Sequence, residues 1–244
     1  MKFSKGTESV LQSMSSINPS LLFPADSNTL MVMDASKSMF AKAEIKEKIE
    51  KGMAIYDVPQ FLATLKMFGD YDLEPHEDFA TIKFPENKSK MRYVFAHPNV
   101  VGAPPKELNM PEHQIQFVLE EDILKSIWKV AASSGMQNFV VYGKGGDAEV
   151  ELKVSNFEAS STNESNNEWS VTIPASVDPT IGSFQVVFYI NSMTKLIPRD
   201  YDVKLSSHKI GSFTAVNPSN DDEGSYEITY CIAMAIEAIF DGED

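Results

Sequence analysis

Two lysines spaced four residues apart, Lys125 and Lys129, are the side chains whose type and spacing best suit a chemical task. At 100° per residue they lie one turn apart on a helix, and apolar residues gather on its opposite side. Cations in this geometry can neutralise neighbouring phosphates without reading any base. Solvated lysines on an ordinary surface helix give the same local pattern, so its meaning depends on whether it recurs.

Residues that could support catalysis are scattered along the chain. The four histidines lack metal-ligand spacing, and the single cysteine, Cys231, lies in an apolar strand pattern. The acidic residues 120–122 suit the positive end of a helix dipole better than a two-metal site. We therefore expect no enzyme activity, no metal and no cofactor.

The composition predicts a folded, intracellular protein. The chain has 244 residues, 43% of them hydrophobic, which is enough for two domains. A net charge of −14 disfavours general binding to nucleic acid, but phosphate binding depends on where the cations are concentrated. One cysteine allows no internal disulfide, and no apolar run reaches the roughly 18 residues that span a bilayer, so we expect no membrane partner.

Four amphipathic helices are predicted from their periodicity and caps. The first follows Ser4 and buries Val10, Leu11 and Met14. The second covers residues 58–68 after Asp57 and buries Phe61, Leu62, Leu65 and Phe68. The third covers 120–135, with Gly135 as a left-handed C-cap. The fourth is short, from residue 191 or 192 to 196.

Short alternating segments predict strands between these helices. They cover residues 30–33, 53–56, 79–84, 90–95, 114–119, 139–142, 149–154, 169–173 and 184–190. Residues 37–51 alternate lysine and glutamate, and we interpret them as solvated strand edges and loop. A final strand is predicted from 226 to 240, with Tyr226, Ile228, Tyr230, Ile232, Met234 and Ile236 on one face.

A connector and a weak internal repeat divide the chain. Residues 100–111 hold three prolines and a glycine, which predicts domains at 1–110 and 111–244. Residues 10–14 match 123–127, and 55–57 match 189–191. The expected fold is therefore α+β: two similar domains, each an antiparallel sheet with two short helices on one face. Cations recur on or beside all four helices: Lys2 and Lys5; Lys66; Lys125 and Lys129; Lys195 and Arg199.

An ordered set of short matches resembles the sliding clamps, or DNA polymerase processivity factors, of T-even-like bacteriophages. The matching segments are residues 1–5, 16–18, 54–57, 61–62, 100–104, 121–124 and 190–193 with Lys195. The order of the matches carries the resemblance, which runs through almost the whole chain. Gln12 and Ala132 depart from it, since the family pattern leads one to expect further cations there.

The resemblance implies a head-to-tail homotrimeric ring of two-domain clamp subunits that encircles duplex DNA without reading sequence. Twelve helices at about 9 to 10 Å spacing would line a channel roughly 35 Å across. It further implies loading by an ATP-dependent clamp loader, tethering of the phage DNA polymerase, a role with late transcription factors, and action in the cytoplasm of the infected host. The helical cations above would face DNA.

By analogy, residues 91–95 of one subunit pair with 169–173 of the next, which removes exposed strand edges. The interface residues are Met91, Tyr93, Phe95, Trp169, Val171 and Ile173. Partners of such clamps insert a hydrophobic peptide into a pocket beside the connector. Candidate lining residues are Phe40, Val101, Leu108, Ile239 and Phe240. The alternative function is an acidic phage structural or adaptor protein that assembles through sheet edges without DNA.

Overall fold

A computed structural model describes residues 1–102, 109–156, 167–216 and 226–241. The chain divides into two compact units. Unit 1 is Met1–Glu107 with Asn217–Thr229, and unit 2 is Leu108–Val216 with Tyr230–Asp244. The predicted domain boundary after residue 110 stays a prediction, and half of the predicted connector, residues 103–108, lies outside the described residues.

The described residues contain four helices and sixteen strands. The helices are α1 (Lys5–Ile17), α2 (Val58–Leu65), α3 (Glu121–Ser134) and α4 (Ile190–Met193). The strands of the first half are β1 (Leu21–Phe23), β2 (Ser27–Met33), β3 (Met39–Ile49), β4 (Met53–Ile55), β5 (Asp72–Pro75), β6 (Phe79–Phe84) and β7 (Ser89–Val94). Those that follow are β8 (Ile115–Leu119), β9 (Asn138–Lys144), β10 (Glu149–Ser155), β11 (Glu168–Val177), β12 (Ser183–Tyr189), β13 (Tyr201–Ser206), β14 (Ile210–Ala215), β15 (Glu227–Ala233) and β16 (Ile239–Phe240).

The caps predicted for the first two helices are confirmed. The Ser4 hydroxyl accepts a hydrogen bond from the Thr7 N–H at 3.2 Å, and the Asp57 carboxylate accepts one from the Gln60 N–H at 2.8 Å. Each side chain thereby satisfies a backbone donor that has no partner within its helix. The apolar side of α1, Val10, Leu11 and Met14, has no exposed surface.

The second helix ends earlier than predicted. It stops at Leu65, because Lys66 adopts φ −90° and ψ 0° and Met67 donates to Thr64 O, which tightens the last turn. Phe68 therefore leaves the buried side of the helix and is 45% exposed, with its ring edge against Phe84. The prediction that Phe68 is buried on this helix is wrong.

The strand pairings described for each of the two units are antiparallel. In unit 1, β1 pairs with β4, β2 with β3, and β5, β6 and β7 form a sheet in that order. In unit 2 the strand order is β16-β12-β9-β10-β11-β8-β13-β14. Phe61, Phe84 and Leu73 are buried in unit 1, and Phe139, Phe188 and Phe213 in unit 2. Each unit therefore has a core of its own.

Two strand predictions are wrong for identifiable reasons. Residues 37–51 were expected to include loop, yet most form the long strand β3, in which Ala41, Ala43 and Ile45 are buried and the charged residues between them are exposed. The predicted strand 226–240 is broken after Ala233: Ala235 donates to Val187 O, and a turn follows that leaves Ile236 83% exposed.

We expect Gly135→Ala to lower the free energy of unfolding by about 1 kcal/mol, because Gly135 ends α3 at φ 66°, where a side chain strains the backbone. An added Cβ would meet no atom within 4 Å, so packing is unaffected. Urea denaturation followed by circular dichroism measures the change. Gly135→Asn is the matched control, since asparagine tolerates this conformation, and equal stability of the Ala and Asn variants would contradict the explanation.

Candidate nucleic-acid interface

The exposed face of α3 carries the two lysines that were singled out from the sequence. Lys125 makes an ion pair with Glu121, one turn earlier, at 2.5 Å. The hydrogen bond to this carboxylate raises the pKa of Lys125 above its ordinary value. Lys129 is exposed, and no carboxylate among the described residues lies within ion-pair distance of it. The two lysines therefore differ in how readily they can meet a phosphate.

In unit 1 a second ion pair joins α1 to the end of α2. Lys66 Nζ lies 2.7 Å from Glu8, whose side chain is only 16% exposed, while that of Lys66 is 47% exposed. Lys66 caps α2, and Glu8 lies in the first turn of α1, where the helix dipole favours a carboxylate. Lys66 therefore links the two helices, because it ends α2 and makes an ion pair with a residue of α1.

The remaining cations of unit 1 lie at the start of the chain. Lys2 is exposed and makes an ion pair with Asp70. The hydrogen bond from Lys2 lowers the pKa of Asp70. Lys5 is the first residue of α1 and is exposed.

The cations near α4 are less exposed than those of α3. The helix is Ile190–Met193, shorter than the segment predicted to reach residue 196, so Lys195 and Arg199 follow it and are half-buried. Trp128 of α3 donates its indole N–H to Met193 O at 3.1 Å. This bond fixes the short helix against the long one.

We expect Trp128→Phe to lower the free energy of unfolding by about 1 kcal/mol, because it removes the indole donor to Met193 O while retaining an aromatic ring. Met193 O then keeps only the longer bond from the Leu196 N–H, at 3.3 Å. Urea unfolding is again the measurement. Trp169→Phe makes the same chemical change at a tryptophan whose indole has no hydrogen-bond partner among the described residues, and should cost less. Equal costs would show that the bond to Met193 contributes nothing.

The helix pairs of the two units are joined in the same way. The Val58 N–H, at the start of α2, donates to Pro19 O just beyond α1, at 2.8 Å. The Ile190 N–H, at the start of α4, donates to Gln137 O just beyond α3, also at 2.8 Å. The structure therefore brings the predicted cations together as α1 with α2 and α3 with α4; that they face DNA stays a prediction.

The carboxylates that hold these lysines were missed in the sequence. Glu121 stands four residues before Lys125, a spacing that favours an ion pair on a helix, so the signal was present. Glu8 and Lys66, and Lys2 and Asp70, are far apart in sequence, and no local pattern connects them.

The residues predicted to line a peptide pocket differ in exposure. Phe40 and Val101 are buried, at 7% and 1% exposed, and Leu108 lies outside the described residues. Ile239 is 53% exposed and Phe240 is half-buried; both belong to β16, which pairs with β12. Among the described candidates, only the two in β16 thus offer apolar surface, and the pocket stays a prediction.

Strand β7 has an unpaired edge among the described residues, since its one partner there is β6. The Phe95 N–H donates to Asp78 O at 2.9 Å, so Phe95 and Asp78 are a hydrogen-bonded pair of this ladder. In an antiparallel ladder such pairs alternate with pairs that exchange no hydrogen bonds. In this register Lys90, Arg92 and Val94 direct their backbone groups away from β6.

Strand β11 has a comparable edge in unit 2. Its last residues, 175–177, pair with β8, but the described structure has no partner for residues 168–174 on that side. Because Ala175 donates to Ala148 O, the alternation directs the backbone groups of Glu168, Ser170 and Thr172 outward. Among the described residues, an open stretch of strand edge therefore lies on β7 in unit 1 and on β11 in unit 2.

The side chains predicted for a subunit interface lie on these two strands or just beyond them. Met91 is 40% exposed, and the Tyr93 ring is half-buried against Phe61. Phe95, Trp169 and Val171 are also half-buried, whereas Ile173 is 6% exposed. The interface role of these side chains stays a prediction.

Within the described ranges no three His, Cys, Asp or Glu side chains are grouped so that they could hold a metal ion. None of the described helices is both long and apolar enough to cross a membrane.

Three relatives in sequence are sliding clamps of phages. The chain is 22% identical over 220 residues to the sliding clamp of Vibrio phage KVP40, a match that covers 89% of this chain and 96% of that one. It is 24% identical over 147 residues to the clamp of Escherichia phage RB69 and 28% over 138 residues to that of Enterobacteria phage T4. These two matches span 64% and 59% of the relatives' lengths. The resemblance to clamps of T-even-like phages is thus confirmed.

Solved structures with the same fold are proliferating cell nuclear antigens (PCNA). The PCNA of Entamoeba histolytica matches with a TM-score of 0.68 at 14% identity, over 96% of both chains. The PCNA of A. fulgidus, bound to the C-terminal region of FEN-1, matches with a TM-score of 0.67 at 11% identity, over 96% of this chain and 97% of that one. No family model matches the chain. The predicted clamp fold is confirmed.

Proposed function

Because the chain has the clamp fold and resembles the sliding clamps of T-even-like phages, we propose that it is a sliding clamp. Three copies close head to tail into a ring around duplex DNA. The ring holds the phage DNA polymerase on its template by topology, with no chemical step of its own.

The open edges of β7 and β11 are the observation that carries the proposal. Each offers three residues with outward backbone groups, and the two edges belong to different units of the chain. Pairing β7 of one subunit with β11 of the next satisfies both edges, and repetition of this heterologous contact closes a ring. Three residues with outward backbone groups on each edge make few hydrogen bonds, which suits a pairing that must also open.

The helical lysines supply the DNA-facing surface of the proposed ring. Those on or beside α1, α2 and α3 are exposed point charges, whereas Lys195 beside α4 is half-buried; the α3 pair is followed by the small residues Ala132 and Ser133. Lysines bind phosphates without selecting a sequence, and such contacts exchange easily as the duplex moves. A chain of net charge −14 needs this concentration of cations to hold DNA at all.

We propose that partner proteins dock at β16 and the preceding turn. Ile236 and Ile239 are 83% and 53% exposed, and exposed apolar side chains this close together suit an inserted hydrophobic peptide. The A. fulgidus PCNA of the same fold holds the C-terminal region of FEN-1. The polymerase, an ATP-dependent clamp loader and late transcription factors are the proposed partners, inside the infected host cell.

The first experiment is light scattering across a dilution series. One chain is 27.1 kDa, so a closed trimer is about 81 kDa. A trimer that dissociates on dilution supports a ring. Binding to linear duplex DNA supports the DNA-encircling function, because the free ends allow a ring to thread on without a loader. A monomer at every concentration overturns the ring. A trimer that fails to bind DNA at low salt favours the structural or adaptor function instead.

A further inference from the structure

Three carboxylates make ion pairs with lysines that the proposed clamp would direct at DNA. Glu121 holds Lys125, Glu8 holds Lys66, and Asp70 holds Lys2. The pairs arise in different ways: one lies within a helix, one joins two helices, and one joins the start of the chain to the segment before β5. A shared local motif therefore does not explain them.

We propose that these carboxylates, with Glu121 as the clearest case, compete with DNA phosphate for the lysines and so set how tightly the ring holds the duplex. The inference rests on the proposed function. Glu121 takes one of the three N–H donors of the Lys125 ammonium group and offsets its charge. Lys125 therefore neutralises a phosphate fully only when the bond to Glu121 opens, and the surface neutralises fewer phosphates than its lysine count suggests. Glu121 acts through Lys125 and does not touch DNA.

A purely stabilising role explains the Glu121 pair poorly. The side chains of Lys125 and Glu121 are 52% and 39% exposed, and solvated ion pairs of this kind contribute little to folding stability. What the pair does change is the availability of Lys125, because the ammonium group already has a carboxylate at 2.5 Å. A sliding ring gains from this, since strong phosphate contacts would slow its movement.

The same helix contains the internal comparisons that the proposal needs. Lys129 lies one turn beyond Lys125 and has no carboxylate partner among the described residues. Asp122 is an exposed acid in the same first turn as Glu121, and no ion pair joins it to a lysine in the described structure. Glu121→Gln and Asp122→Asn thus remove the same charge from adjacent positions, but only the first releases Lys125.

The test is the salt dependence of binding to a short linear duplex, measured by fluorescence anisotropy with the trimeric protein. Three subunits gain up to three phosphate contacts in the Glu121→Gln variant, so the slope of log affinity against log salt steepens by up to about 2.7 relative to wild type. Asp122→Asn should raise affinity slightly with little change of slope. Equal slopes for the two variants overturn the proposal.

A double variant separates release of Lys125 from a general change of charge. If Glu121 acts through Lys125, then Glu121→Gln has no effect on the slope in a Lys125→Gln background. An effect of the same size in both backgrounds overturns the proposal. Absence of DNA binding by the wild-type trimer is a different result, since it contradicts the clamp function itself.

Discussion

The double variant Lys125→Gln/Lys129→Gln should bind duplex DNA with a salt slope shallower by about 3 to 5 while remaining a trimer. Six positive charges are removed from the proposed ring, two from each of its three subunits. The three copies of Lys129 have no carboxylate partner among the described residues and should contribute fully, whereas Glu121 partly offsets the charge of Lys125. At moderate salt the variant should lose most of its binding and its stimulation of the polymerase.

A matched control is available on β3. Lys42→Gln/Lys46→Gln removes the same charge from two exposed lysines on one strand face and should leave the salt slope close to that of wild type. Light scattering verifies that both variants assemble. Unchanged polymerase stimulation by the α3 variant, with its trimer intact, would exclude the assigned role of these lysines.

Helix α3 shows what the sequence could predict. Its apolar period, the acids of its first turn and Gly135 are all local signals, and they gave the helix to within a residue at each end. Two strands were not predicted from the sequence, for different reasons. The alternation of β13, with Tyr201, Val203 and Leu205 buried, was visible in the sequence and was overlooked. In β5 only Leu73 is fully buried, so no pattern existed to be found.

In the candidate site, too, the features that follow a local pattern were predicted and those that depend on tertiary packing were not. The sequence identified the lysines because cations on an amphipathic helix follow a period. It did not reveal the partner of Lys66, because Glu8 belongs to another helix and meets it only through the packing of α1 on α2. The break after Ala233 has the same origin: the bond from Ala235 to Val187 O competes with continuation of the strand.

The predicted strand edges require a further step beyond the sequence. Residues 91–95 and 169–173 were placed at an interface by analogy, and the structure adds which backbone groups of β7 and β11 point outward. This allows a substitution that removes an outward donor and leaves every ladder bond inside the chain intact.

Val94→Pro should convert the proposed trimer of about 81 kDa into a 27.1 kDa monomer at micromolar concentration. Val94 lies opposite Phe79 as a pair that exchanges no hydrogen bonds, so its N–H points away from β6 and toward the proposed neighbour. Proline removes that donor and places its ring in the path of the incoming strand, yet an edge strand tolerates it. Light scattering measures the mass, and circular dichroism shows whether the fold is kept.

Two further variants decide whether the lost contact is the backbone bond of this edge. Val94→Ala keeps the N–H and removes the exposed side chain, so it should weaken the trimer far less than proline does. Ser170→Pro removes an outward donor from β11, the proposed partner edge, and should also give a monomer. Because the two edges belong to different units, monomers from both proline variants point to head-to-tail pairing, whereas a folded trimer from either would place the interface elsewhere.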